Sequence, residues 1–229
     1  MLVLGIETAT PVCGVCLAND GALVAEYRAA IKNAHGRLLA GAIQMVLRDA
    51  GVAVHEIQGI AVSIGPGSFT GLRIGLAAAK GLALATAAPI TAVDTLAALA
   101  TQAPLQDGLI APLIRSRGDE YYLALYRRQM GVDRIVAETE VVHWETISAH
   151  LPQDALIIGA TIQHPLPPGF KAAPQAFAHL SAYGVAHLGW RQLLSGQVEN
   201  GDTLEPRYWQ DFEAGKPGKS ILPVQPHAL

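Results

Sequence analysis

The sequence predicts an α/β protein made of two successive units, on three observations. Residues 1–103 alternate short apolar runs with longer amphipathic stretches, opening on a hairpin signal. A turn-rich joint, Pro104-Leu105-Gln106-Asp107-Gly108, then breaks the pattern. Beyond it a strand-rich pattern starts again. Composition supplies cores for both units: 51% of the 229 residues are hydrophobic and 15% charged, which argues against disorder.

In the first unit, residues 2–6 read as a buried strand. Runs 12–17 and 22–27 flank Asn19-Asp20-Gly21, and Asp-Gly between apolar runs predicts a tight hairpin. The chain thus opens as a three-stranded antiparallel meander. A helix follows over 34–50, where Leu38, Leu39, Ala42, Ile43, Val46 and Leu47 form one wide stripe. Asn33 is its expected N-cap and Gly51 its stop. Strand 59–64, the turn Gly65-Pro66-Gly67, helix 70–86, strand 90–93 and helix 95–101 capped by Asp94 complete the unit.

The second unit, 104–214, predicts strands over 109–114 and 121–126 around the polar turn 115–120. A strand over 134–142, a short helix 144–150, a strand 155–158 ending at Gly159 and a helix 176–194 after Pro174 follow. Residues 215–229 read as a loose tail. The two units can be duplicates, although no identity between them is visible.

Charge and composition narrow the function. A net charge of -3 argues against gripping nucleic acid alone, since a phosphate-binding face clusters Lys and Arg. If RNA is a substrate, another subunit holds it. The N-terminus lacks the basic region of a signal peptide, and no apolar run is long and charge-free enough for a bilayer, so a cytoplasmic chain is expected. Cys13-Gly14-Val15-Cys16 admits a redox or zinc reading. In a strand, however, positions i and i+3 point to opposite faces, which favours two buried free thiols.

The most distinctive string is Gly65-Pro66-Gly67-Ser68-Phe69-Thr70-Gly71-Leu72-Arg73-Ile74-Gly75. It is a strand end, a tight turn, hydroxyls able to cap (Ser68 or Thr70), then a helix. Such a turn is structural or anion-binding. It is not a P-loop, because no Gly-Lys-Ser/Thr closes it. From Gly71 to Ala85 nearly every residue is small or apolar except Arg73 and Lys80. Either the helix is fully buried, or a second protein covers the part that does not face its own sheet.

That string, with Lys80-Gly81-Leu82-Ala83-Leu84, resembles the signature of the TsaB (YeaZ) family. Gly5-Ile6-Glu7-Thr8-Ala9-Thr10 with Cys13 is similar to the family's first strand and turn. Ala34-His35-Gly36-Arg37-Leu38-Leu39 and Val93-Asp94-Thr95-Leu96-Ala97-Ala98-Leu99-Ala100 are similar to two further segments. The resemblance is close over residues 2–103 and weaker beyond, where Glu120-Tyr121-Tyr122 and Pro206-Arg207-Tyr208 are its best echoes.

The resemblance implies an actin-like ATPase (ribonuclease-H-like) fold of two lobes with mixed sheets flanked by helices. It implies a subunit that binds and activates the catalytic paralogue TsaD and, with the ATPase TsaE, places threonylcarbamoyl on a tRNA adenosine. Contact with tRNA would be indirect. Pairing would use the two helices, through Leu38, Leu39, Ile43, Thr70, Leu72, Arg73, Ile74, Leu76 and Lys80, and the chain alone would form homodimers through them. The paralogue's H-x-x-x-H metal motif corresponds to Thr95 and Leu99 here, so no metal and no catalytic residue are expected.

Glu7, Thr8 and Thr10 stand where the superfamily meets a nucleotide, but Glu7 replaces the family's Asp. The second lobe carries Gly159-Ala160-Thr161 in place of a Gly-Asp/Asn-Gly turn, and Arg115-Ser116-Arg117 in place of Asp-Ala-Arg. The isolated chain is therefore expected to need no cofactor, with ATP or ADP confined to an interface with the partner. The competing reading is a free-standing ATPase or phosphotransferase of the same fold, supported by the Glu7-Thr8-Thr10 turn. A glycoprotease lacks its metal motif. His35 reads as a helix-start or interface residue rather than a general base.

Overall fold

The computed structural model describes residues 1–104, 106–159 and 164–209. The expected tail and most of the Gly159-Ala160-Thr161 turn lie outside them. Strands β1 (Leu2–Glu7), β2 (Cys13–Asn19) and β3 (Ala22–Ala29) form the expected meander. Asp20 (φ 48°) and Gly21 (φ 78°) both take positive φ at its hairpin, the conformation an Asp-Gly pair accommodates. Helix α1 (His35–Asp49) leads to β4 (Gly59–Ser63), α2 (Phe69–Thr86), β5 (Ile90–Val93) and α3 (Thr95–Thr101). The sheet order is β3-β2-β1-β4-β5, with β4 and β5 parallel to β1.

The second sheet contains β6 (Gly108–Arg115), β7 (Glu120–Gln129), β8 (Val132–His143), β9 (Leu156–Ile158) and β10 (Lys171–Ala172). Its order, β8-β7-β6-β9-β10, repeats the first: an antiparallel meander, then two parallel strands. The units are thus duplicates in topology. β10 is two exposed residues long and left no periodic signal.

Local chemistry explains most helix ends. Ser68 accepts from the Gly71 amide (3.2 Å) to start α2, and Asp94 accepts from the Ala97 amide (2.8 Å) to start α3. α1 stops in a Schellman arrangement: Gly51 N–H donates to Arg48 O and Val52 N–H to Leu47 O, with Gly51 at φ 65°. Asn33 is not its N-cap. Asn33 takes φ 55°, and Ala34 occupies the cap position without a side-chain bond.

The expected helix over 176–194 is two elements. A short 3-10 turn, Gln175–Phe177, precedes α5 (Ala182–Leu194), which Ser181 caps. Gln102 stabilises the break from far away in sequence. Its amide donates to Phe177 O (2.7 Å) and His179 O (3.0 Å), and its carbonyl accepts from Ser181 N (3.0 Å).

Side-chain alternation along the first sheet sorts two cores. Leu4, Ile6, Val15, Leu17, Ile60 and Val62 pack with α1 and α2. On the other face Val3 and Ala61 join α3 and α5, while Cys16 and Ala18 meet Ala182 and Ala186. Cys13 and Cys16 thus lie on opposite faces, both free and buried, and burial pushes both thiols up. The second sheet is likewise covered twice: Tyr122, Ala124 and Tyr126 face α3, and Tyr121, Leu123 and Leu125 face Trp144 and α4 (Ile147–His150).

The C-terminal part crosses the expected 103/104 division. α5 packs on β1, β2, β4 and β5 of the first sheet. Residues 196–209 continue along that sheet: Glu199 bridges Ile90, and Arg207 N–H donates to Ile64 O (2.8 Å). Spatially these residues belong to the first lobe, because its sheet has a second apolar face that its own residues leave bare. Among the described residues, no helix is long and apolar enough to cross a membrane.

Candidate functional site

The glycines of α2 bring the helix onto the β1–β2 turn. A Cβ at Gly71 would overlap the carbonyl oxygen of Thr8, and one at Gly75 would overlap the Thr8 hydroxyl. The Ser68 amide donates to Ala9 O at 2.7 Å. Consequently Glu7 and Thr8 are both 0% exposed and Thr10 7%. Glu7 accepts the Thr10 amide on Oε1 (2.8 Å), while Oε2 and the Thr8 hydroxyl have no hydrogen-bond partner among the described residues. Glu7 and Thr8 therefore do not fit a phosphate or its metal, since neither presents an atom to solvent. Of the three expected nucleotide contacts, Thr10 alone reaches a cavity.

Burial holds the Glu7 carboxyl above its ordinary value of 4.5, against bonds from Ser63 and Thr10 that work downward. The folded state thus favours the proton. The stability this contributes is present below about pH 4.5 and is lost as pH rises through the folded value. Glu7→Gln keeps an acceptor for the Thr10 amide and removes the buried charge. It should be more stable than the parent at about pH 8, with the gap closing at about pH 4, in urea unfolding at both. A gap that widens on acidification contradicts this.

His35 ties α1 to the same turn. Its Nε2 lies 3.0 Å from Thr10 O and 3.1 Å from Val12 O, both acceptors, so Nε2 carries the proton and is shared between them. The residue is a brace at the helix start.

The two expected pairing helices split by side. Leu39 (3%), Ile43 (8%), Leu72 (1%) and Leu76 (6%) are packed into the chain's own core and are withdrawn as interface residues. An almost uniformly apolar helix gives no sequence mark of its outward side. Thr70 and Arg73 are exposed, and Leu38, Ile74 and Lys80 are half-buried. The solvent face of α2 is the stripe Thr70, Arg73, Ala77, Gly81 and Leu84, the last 88% exposed. α1 adds Arg37, Ala40, Gly41 and Gln44. Arg73 stacks over the Phe69 ring (3.8 Å) and donates from Nε to the Tyr208 hydroxyl (3.1 Å), so the C-terminal residues border this face.

On α3, Thr95 (0%) and Leu99 (1%) are buried, and the Thr95 hydroxyl has no partner among the described residues. Leu99 sits in the core between the lobes, where a hydrocarbon cannot ligate metal. Leu99 and Thr10 also line a cavity of about 300 Å³ between the lobes, with Arg115, Arg117 and His179. Sequence reasoning missed Arg128. It is 8% exposed and reaches from β7 to the carbonyls of Ala100 and Ala103 at the end of α3. A charged residue following the apolar run 121–126 was its only signal.

Two lobes that repeat one strand order, joined around a central helix layer, define the actin-like ATPase fold. The solved activator of 2-hydroxyisocaproyl-CoA dehydratase from Clostridium difficile shares that fold, with TM-score 0.51 at 10% identity over 87% of this chain and 99% of that one. A family model described as TsaD: tRNA N6-adenosine threonylcarbamoyltransferase matches residues 26–190, and the chain belongs to that family, on its TsaB (YeaZ) branch. The tRNA threonylcarbamoyladenosine biosynthesis protein TsaB of Bacillus subtilis (strain 168) is 34% identical over 143 residues, 62% of each chain. The match thus spans less than two thirds of that relative's length. YeaZ from Pseudomonas aeruginosa superposes with TM-score 0.79 at 28% identity, over 90% of this chain and 99% of that one.

Proposed function

We propose that this chain is a non-catalytic subunit in tRNA threonylcarbamoyladenosine biosynthesis that docks on a TsaD-type catalytic chain through α1 and α2 and activates it. The observation that carries the reading is the Thr70-Arg73-Ala77-Gly81-Leu84 stripe: a solvent-facing helix surface of small and apolar residues with one charge, already engaged. Alanine and glycine let a partner helix approach closely, and an exposed Leu84 supplies apolar area to bury. The absence of catalytic work is supported by Thr95 and Leu99 in place of imidazoles and by the sealed Glu7 and Thr8.

In this reading a TsaE-type ATPase joins the pair, tRNA is held by the partner, and a second copy competes for the same helices when the chain is alone. The isolated chain needs no cofactor, and ATP or ADP belongs at the joint interface.

Ala77→Asp and Gly81→Asp test the docking. Ala77 is exposed and Gly81 has open space beside it, so both variants should keep the parental melting temperature. Each should abolish co-purification with the TsaD-type chain, because an unpaired carboxylate would be buried at the contact. Undiminished co-purification overturns the reading. Leu76→Asp would test folding instead, since Leu76 is core. The isolated chain should not turn over ATP with magnesium, and steady turnover would favour the free-standing enzyme.

A further inference from the structure

We propose that the α1–α2 face selects a different chain that presents carboxylates, and selects against a second copy of itself, with Arg73 as the principal charged contact. The inference rests on the docking reading above and adds the chemistry of the surface that fits.

The face has the opposite sign to the chain. Acidic residues number 19 against 16 Lys and Arg, a net charge of -3. Helix α2 nevertheless contains Arg73 and Lys80 and no acid, and both follow its outward stripe with Ala77 and Leu84. Helix α1 adds the exposed Arg37, and its only acid, Asp49 at the far end, is bonded to Arg48 (2.8 Å). A Cβ on Gly36 would sit 3.7 Å from Ile74 Cδ1, so the helices meet there. Arg37 follows Gly36 and Arg73 precedes Ile74, which puts both cations beside that line. Arg37 and Lys80 hold no ion pair among the described residues.

Arg73 is held ready for a carboxylate. Its guanidinium lies 3.8 Å over the centre of the Phe69 ring, and Nε donates to the Tyr208 hydroxyl (3.1 Å). The Phe69 and Tyr208 rings are themselves 5.1 Å apart. The stack and the Nε bond fix the guanidinium plane. The two terminal nitrogens hold no hydrogen bond among the described residues. Such a fork pairs with a carboxylate through two parallel bonds at little ordering cost. Arg and Tyr are also residue types on which interface energy concentrates.

A second copy answers this face badly. A two-fold dimer sets the same patch against itself, so Arg37, Arg73 and Lys80 meet cations and no free acid. A chain with carboxylates turns that repulsion into attraction. The apolar stripe supplies affinity to both assemblies, and charge supplies the preference. RNA fits less well, since these cations fall short of the roughly six to ten phosphate contacts of a nucleic-acid binder.

Titration of the full chain with the TsaD-type chain, and sedimentation of the full chain alone, test this at about 50 and about 500 mM NaCl. Salt should weaken the hetero-pair by about tenfold or more and should leave the homodimer unchanged or tighter. Arg73→Ala should weaken the hetero-pair by about tenfold or more, and Arg73→Lys by several-fold. Arg73→Glu and Arg37→Glu should each weaken the hetero-pair and tighten the homodimer, a split that general damage to the face cannot produce. Both side chains are exposed, so the variants should melt close to the parent. If Ala77→Asp leaves the hetero-pair intact, the docking reading and this inference fail together. If Ala77→Asp abolishes the pair but the Arg73 variants bind as the parent does, docking stands and this inference alone is overturned. It is likewise overturned if both assemblies weaken equally with salt, or if a tRNA transcript binds the isolated chain and Arg73→Ala releases it.

Discussion

Arg128→Ala should cost about 3–5 kcal/mol of stability, the loss expected when one partner of a buried ion pair is removed. Arg128 donates to Asp133 through Nε (2.6 Å) and Nη2 (2.7 Å), and to Ala103 O (2.9 Å) and Ala100 O (2.7 Å). One side chain therefore neutralises a largely buried carboxylate and donates to carbonyls in the last turn of α3 and just beyond it, linking β7 of one lobe to a helix of the other. Truncation removes this donor from Asp133 and from the Ala103 carbonyl, while Ala100 O keeps the Ala103 amide (3.0 Å). Arg128→Lys cannot restore the paired geometry and should recover only part of the loss. Urea unfolding of Arg128→Ala, Asp133→Ala and the double variant should give a coupling of about 1–3 kcal/mol. Additive, sub-kilocalorie effects would mean the latch carries little.

Gly71→Ala should destabilise by about 2–3 kcal/mol, and roughly 5–10 °C in melting temperature. Alanine favours a helix by about 1 kcal/mol over glycine, so propensity alone predicts the opposite sign. Sterics win because the new Cβ would overlap the Thr8 carbonyl, a backbone atom that cannot rotate away, and would sit 3.2 Å from Ser68 Cβ. Gly81, on the same helix, has nothing within 4 Å, and Gly81→Ala should stabilise by up to about 1 kcal/mol. Opposite signs in one denaturation series would place the helix as described, whereas stabilisation by both substitutions would refute its close approach to the turn.

The sequence made the first lobe's elements readable because their signals are local. Asp20-Gly21 demands its hairpin, Ser68 and Asp94 are caps, and α1 has a clean apolar stripe. What it hid depends on distant partners. Nothing near residue 180 announces that Gln102 will hold a helix break there. The spacing of Gly71 and Gly75 reads as a close-packing device but does not say that its contact is the Thr8 turn. The site suffered for that reason: Glu7 and Thr8 carry the residue types of a phosphate turn and have no access to one. On α2, uniform apolarity left Leu72 and Leu76 indistinguishable from Ala77 and Gly81, although the first pair is core and the second faces solvent.

The return of α5 to the first sheet has a consequence for synthesis on the ribosome. A nascent chain that has emerged only as far as α3 carries the strands of that sheet but lacks the cover over Cys16, Ala18 and Ala61, because Ala182 and Ala186 follow some eighty residues later. Contacts so remote along the polypeptide close late. The lobe translated first is the one completed last, and until then its exposed underside is a surface for chaperones to shield.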